Sequence, residues 1–125
     1  MNERKLILGA CLVGAILMLA ACGGGSGGGS AESANVAQGH ELFRSTCATC
    51  HGPDAEGMPR LGKNLHENAF VREQSDEELL QFLKQGRPAS HPDNERGVDM
   101  PPRGGNPALT DADLIKIIAY MRSIS

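Results

Sequence analysis

Cys47-Ala48-Thr49-Cys50-His51 brings two thiols and an imidazole together in the Cys-x-x-Cys-His order that attaches a c-type haem to a polypeptide. On one helical turn, residues three and four apart share a face, so both thiols can reach the two vinyl groups at one porphyrin edge. His51, four positions after Cys47, then directs its ring at the iron. Two other chemistries use such a cysteine pair. A thioredoxin-like dithiol sits within a βαβ pattern, which the surrounding residues lack, and a structural zinc site needs four ligands at close spacing. No second cysteine pair lies nearby, and His40, His66 and His91 could complete a zinc set only by long reach. The motif is therefore read as the attachment site of a single covalent haem c, which leaves open what holds the other side of the iron.

Met100 is the candidate. A thioether is a soft, neutral ligand suited to haem iron, and the Pro101-Pro102 pair stiffens the backbone that presents it. The competing use of a methionine is to fill a gap in a core. Such a residue is out of place between Asp99 and two prolines in a glycine-rich loop. Met58 lies too close to His51 to cross the porphyrin plane, Met121 falls on the apolar stripe of the last helix, and Met18 belongs to the apolar N-terminal run. With His51 and Met100 as metal ligands, neither side of the iron is open to oxygen or substrate, and no catalytic acid or base is required. His40, His66 and His91 read as surface or loop residues, with His91 the substitute ligand because it shares a loop with Met100.

The N-terminus bears on where this chemistry takes place. Arg4 and Lys5 precede an apolar run, Leu6 to Leu19, that closes with Leu19-Ala20-Ala21-Cys22. A basic start, an apolar core and small residues before a cut are the parts of a secretory signal. Ending on cysteine, the segment resembles the lipobox of bacterial lipoproteins. That resemblance implies that residues 1–21 are removed and that Cys22 becomes a lipidated N-terminus outside the cytoplasmic membrane. Leu8-Gly9-Ala10-Cys11 has similar residues but leaves too short an apolar core. An uncleaved membrane helix is the alternative, although the run falls short of the roughly 20 residues that spanning needs. Cysteine use is then complete: Cys11 leaves with the signal, Cys22 takes lipid, and Cys47 and Cys50 take haem. None remains for a disulfide, which that compartment would permit.

Residues 22–35 read as a lipidated cysteine followed by a Gly/Ser-rich, flexible tether, a composition shared with artificial linkers. No Lys-Ser/Thr follows the glycines, so they form no phosphate loop. A flexible segment of about 14 residues has a typical end-to-end distance near ~20 Å and a taut reach of ~50 Å.

Residues 36–125 must then hold the haem, in a domain too small to rest on its own apolar residues. Phe43, Phe70, Phe82 and Tyr120 are its aromatics, and the haem itself is expected to supply the missing apolar mass. Apolar residues recur at helical spacing, which predicts an all-α fold of three or four helices around one haem. Val36, Gly39, Phe43 and Cys47 share one face of a first helix that delivers the motif at its C-terminal end. A short helix is expected around Asn68 to Arg72. Ser75 with Glu78 forms a capping box, Leu79, Phe82 and Leu83 give a buried stripe, and Gly86 stops that helix. The last helix starts at Thr110 with Asp113 at its third position and buries Leu114, Ile117, Ile118 and Met121. Between them, Gly86 to Pro107 is a long loop rich in proline and glycine, the length of segment that usually carries function.

Taken together, Gly39, Phe43, Cys47-Ala-Thr-Cys50-His51-Gly52, Met100-Pro101 and the Thr110-to-Tyr120 helix make residues 36–125 resemble a class I cytochrome c. The resemblance implies a small cytochrome c fold in which the N- and C-terminal helices cross, with Gly39, Phe43, Ile117 and Tyr120 in the contact. It implies one-electron transfer, with no enzymatic activity of its own, between respiratory or photosynthetic redox proteins at the membrane. The same domain also serves as a fixed subunit of quinol-oxidising, oxidase or dehydrogenase complexes, and an open-iron sensor or peroxidase-like protein is a third use that Met100 argues against. One departure stands out: the proline whose carbonyl usually accepts a bond from the ligand imidazole is Lys63 if Leu65 sets the register and Pro59 if Leu61 does.

The chain has 12 basic and 15 acidic residues and a net charge of −3, which argues against nucleic acid as a partner. Arg60, Lys63, Arg87, Arg96 and Arg103 fall in the loops expected near the haem edge, either as a basic docking rim or as part of a solvated mixed-charge surface.

Overall fold

The computed structural model describes residues 27–125, so the signal segment, Cys22 and the first glycines of the tether lie outside the described residues. The elements are α1 (Gly27–Thr46), α2 (Ala48–His51), α3 (Ala69–Glu73), α4 (Asp76–Gln85), a 3₁₀ turn at Pro102–Gly105 and α5 (Asp111–Ile124). Among the described residues there is no strand, and β-type pairing is confined to an isolated bridge between Arg87 and Met100. The all-α fold expected from periodicity is the observed one. No described helix is long and apolar enough to cross a membrane.

Helix α1 starts earlier than its apolar face requires, running back to Gly27 through residues read as tether. The physical reason is propagation: once Val36 to Thr46 is fixed by packing, each residue added at the N-terminal end gains one bond, and Ala31, Glu32 and Ala34 are good helix formers. Helix α1 passes almost without a break into α2, since the Cys47 amide bonds the Phe43 carbonyl at 2.7 Å and the His51 amide bonds that of Cys47 at 3.0 Å.

The frame is the crossing of α1 on α5. A Cβ on Gly39 would lie 1.9 Å from the Lys116 carbonyl oxygen, so only glycine lets the two backbones approach this closely. Beside it Phe43 and Tyr120 pack with ring centroids 5.2 Å apart and planes at 57°, the tilted arrangement aromatic pairs favour. Phe43, Val71, Leu79, Leu114, Ile117 and Ile118 are the fully buried centre of the core, with Met121 at its margin.

Capping boxes open α4 at Ser75/Glu78 and α5 at Thr110/Asp113, as the sequence predicts, and Asn68 caps α3 through its side chain. Gly86 ends α4 at φ 70°, in the left-handed region. Arg122 on α5 ties the α3–α4 corner down: it donates to the carbonyls of Val71 and Gln74 and to Asp76 Oδ1, the last at 2.9 Å. One side chain departs from expectation. Phe82 is only half-buried and Leu80 takes its place in the core, because Phe82 faces the cavity described next.

Candidate haem site

Between α2, α4 and the long loop lies a cavity of about 330 Å³. Cys47, Cys50, His51 and Met100, four residues drawn from the two ends of the domain, all line it. The floor and walls are apolar, with Phe43, Leu65, Phe70, Phe82, Leu83 and Met121 reaching the same space. Phe70 and Phe82 meet edge to face, with centroids 4.9 Å apart. A flat apolar group with a few polar contacts matches this lining.

The motif is positioned by short-range backbone bonds. Gly57 N–H donates to the His51 carbonyl at 2.6 Å, and the segment around Gly62 presses so closely on the motif that a Cβ there would lie 2.1 Å from the Cys50 carbonyl oxygen. That contact delivers the Lys63 carbonyl to His51, whose Nδ1 lies 2.8 Å from it. A carbonyl can only accept, so Nδ1 carries a proton, and the neutral tautomer that makes this bond has its lone pair on Nε2, as a metal ligand needs. The register question raised by the sequence is thereby answered: Lys63, and not Pro59, stands behind the imidazole. Phe43 flanks the same ring at 6.3 Å.

The Cys47 thiol differs from that of a redox dithiol. Burial, with a smaller contribution from neighbouring Cys50, pushes the Cys47 thiol up to about 11, whereas catalytic dithiols lower theirs. Among the described residues no three or more His, Cys, Asp or Glu side chains converge as a metal-ion cluster, so the zinc reading finds no support in the placement of His40, His66 or His91. His40 stacks on Tyr120 at 4.5 Å, His66 Nε2 bonds the Asp54 carbonyl at 2.6 Å, and His91 accepts the Asp93 amide at 3.1 Å.

Met100 is presented by a closed loop rather than a slack one. Its amide donates to the Arg87 carbonyl at 2.9 Å and its carbonyl accepts from the Arg87 amide at 2.8 Å, pinning the loop at both ends. Inside, the Asn94 amide group donates to the carbonyls of Pro88 at 3.0 Å and Val98 at 2.8 Å, while its oxygen accepts the Gly97 amide at 3.0 Å. Gly86 matters here as well, since a Cβ on it would lie 2.2 Å from the Met100 carbonyl oxygen. After Met100 the 3₁₀ turn folds back, bringing Gly104 against Thr46 and Cys47. The Arg87 guanidinium lies 5.0 Å over Phe70 and 4.8 Å over Phe82, a cation held at the cavity wall.

Two of these contributors were hidden in the sequence. Nothing in the order of residues ties Arg87 to Met100, because a bridge between loop ends has no periodic signal. Asn94 carries a trace of one in Asn94-Glu-Arg-Gly97, an arrangement prone to Asx turns.

Residues 34–121 match the family profile described as cytochrome c oxidase, cbb3-type, subunit III. The chain is similar to cytochrome c-555 of Chlorobaculum tepidum, 29% identical over 90% of each chain. Cytochrome c-551 of Bacillus subtilis is 36% identical over 57% of this chain and 65% of its own. The cbb3-type oxidase subunit CcoP of Rhodobacter capsulatus is 26% identical over 75% of this chain, and FixP of a Bradyrhizobium species is 33% identical over 71%. This chain spans about a third of CcoP and FixP, at 31% and 30% of their lengths. No solved structure matches the chain at comparable significance. Because the match runs from within α1 to within α5, the chain belongs to that family of c-type cytochromes.

Proposed function

We propose that this protein is a membrane-tethered monohaem cytochrome c that passes single electrons between redox proteins on the outer face of the bacterial cytoplasmic membrane or the periplasmic side of the envelope. One observation carries the reading: Cys47, Cys50, His51 and Met100 line a single apolar cavity. Haem c, when bound, supplies an iron that alternates between ferric and ferrous states. In this reading Cys47 and Cys50 hold the porphyrin by thioethers, and His51 ligates through Nε2, its ring fixed by the bond to Lys63. Met100 would hold the iron from the other side through its thioether, kept in place by its bridge to Arg87. The apolar walls exclude water, which keeps reorganisation small, and His/Met ligation raises the potential.

The anchor is Cys22, with the residues before α1 as a tether. Residues 27–35 are helix and rise about 1.5 Å each, less than the extended chain that their composition suggests. Replacing Cys22 with alanine is expected to release a soluble, still red protein. Persistence in the membrane fraction would point to the uncleaved helix or to partner subunits.

A second reading, a fixed subunit of a membrane oxidase, is favoured by the cbb3-type family match. Coverage of 90% of cytochrome c-555 favours the small independent carrier. Stoichiometric co-purification with membrane subunits in mild detergent would select the subunit.

Ligation is tested by absorption spectroscopy of the purified protein. A low-spin ferric spectrum with the weak far-red methionine charge-transfer band, and no carbon monoxide shift when reduced, is expected. Met100→Ala is expected to keep its haem, bind carbon monoxide and show a lower potential. A normal spectrum and potential in that variant would remove Met100 from the iron.

A further inference from the structure

Lys63 stands at two junctions at once. Its carbonyl oxygen orients His51 at 2.8 Å, and its ammonium pairs with Glu95 Oε1 at 3.0 Å. Any residue could supply the carbonyl, so the first contact does not account for the side chain; the second does. Glu95 belongs to the loop that ends in Met100, and that loop is tied into one unit: the Arg87–Met100 bridge closes it and Asn94 cross-links its interior. Lys63 and Glu95 both lie at the cavity, on segments far apart in sequence. The Glu95 carboxyl is held below the ordinary range chiefly by the hydrogen bond from Lys63, with Arg96 and Arg87 adding weaker attraction.

We infer that the Lys63–Glu95 ion pair is a latch across the mouth of the cavity, coupling the segment that orients His51 to the loop that presents Met100, and so setting how readily Met100 yields the iron to an incoming ligand. The inference rests on the proposed ligation of the iron by Met100. Lys63 and Glu95 are positioning residues and touch no reacting atom. Lys63 is 39% and Glu95 73% exposed, so the pair is weak and salt-sensitive, and its effect falls on loop opening rather than on the fold. A competing ligand binds only the open loop, so its apparent affinity rises with the open fraction.

The test uses the full haem-loaded ferric protein titrated with imidazole, as wild type, Glu95→Gln, Lys63→Gln and the double variant. At low salt each single variant is expected to bind imidazole about threefold more tightly, the scale of an exposed ion pair. The double variant should bind no more tightly than the singles, and wild type should match them near ~1 M salt. The midpoint of unfolding in urea, an uncharged denaturant that leaves the pair unscreened, should stay unchanged at low salt. Unchanged imidazole affinity in both single variants, effects that multiply in the double, or a midpoint shift equal to the affinity change would each overturn the latch. A wild-type spectrum already high-spin before imidazole is added would overturn Met100 ligation itself, a failure distinguishable from that of the latch.

Discussion

A Cβ built on Gly39 would sit 1.9 Å from the Lys116 carbonyl oxygen and 2.5 Å from its carbon, both backbone atoms that no rotamer change can move. Substitution at this residue therefore pushes whole helices apart. Gly39→Ala is expected to cost about 3 kcal/mol, the upper end for overpacking, read as a lower guanidinium midpoint in the holoprotein. Spectral ligation should be retained, because neither Gly39 nor Lys116 lines the cavity. An unchanged midpoint would mean that α1 and α5 do not cross here. The glycine is legible in the sequence as a small residue on an apolar face, whereas the Phe43–Tyr120 contact follows only from the resemblance to class I cytochromes c. The carbonyl behind His51 is not legible, since two registers fit equally well until backbone packing around Gly62 chooses Lys63.

At the scale of elements, local chemistry decides the helix starts. Thr110 accepts from the Asp113 amide at 3.2 Å and Asp113 Oδ2 accepts from the Thr110 amide at 3.0 Å, so two otherwise orphaned donors are satisfied by two side chains. Thr110→Ala is expected to destabilise the holoprotein by about 1 kcal/mol in chemical denaturation, with an unaltered visible spectrum. Such signals are local in sequence, which is why α4 and α5 begin where the pattern places them. The Met100 loop is a different case. Its bonds join Arg87 to Met100 and Asn94 to Pro88 and Val98, contacts with no periodicity to read. Its proline and glycine content marked a long loop and concealed an ordered one. Phe82 shows the same limit within a helix: periodicity assigned it to the core, whereas the cavity claims it.

For the molecule as a whole, the cavity dominates the energetics. Its lining includes Phe43, Phe70, Phe82, Leu83 and Met121, apolar side chains that need the haem as a packing partner in a domain too small to be more than marginally stable on its own. The Cys47→Ser, Cys50→Ser double variant, which cannot attach haem, is therefore expected to lose most of its helical circular dichroism at 25 °C. Native-like ellipticity with a cooperative thermal transition would refute this. Acid should also destabilise the holoprotein. Glu78 is held below the usual range by the Ser75 backbone bond, Asp111 by Lys84 and then Arg103, and Asp113 by Thr110. Each binds its proton more weakly folded than unfolded, so the stability it adds is complete above the ordinary carboxylate range near about 4. It is lost as pH falls through the lower folded values. The melting temperature should be level from about pH 7 to 5 and fall below about pH 4. A flat profile down to about pH 3 would contradict it.

What the sequence determined by itself is the chemistry: two thiols and an imidazole spaced for one porphyrin edge, a methionine before prolines, capped helices at readable positions and an apolar face carrying Gly39. These follow from interactions between residues a few positions apart, and spacing along the chain encodes them directly. Only the tertiary structure decided that Lys63 backs His51, that Arg87 pairs with the Met100 backbone, that Phe82 serves the cavity, and that Lys63 reaches Glu95. Those contacts join segments brought together by the α1–α5 crossing and the folded loop, and a contact made through a backbone carbonyl leaves no mark on residue type.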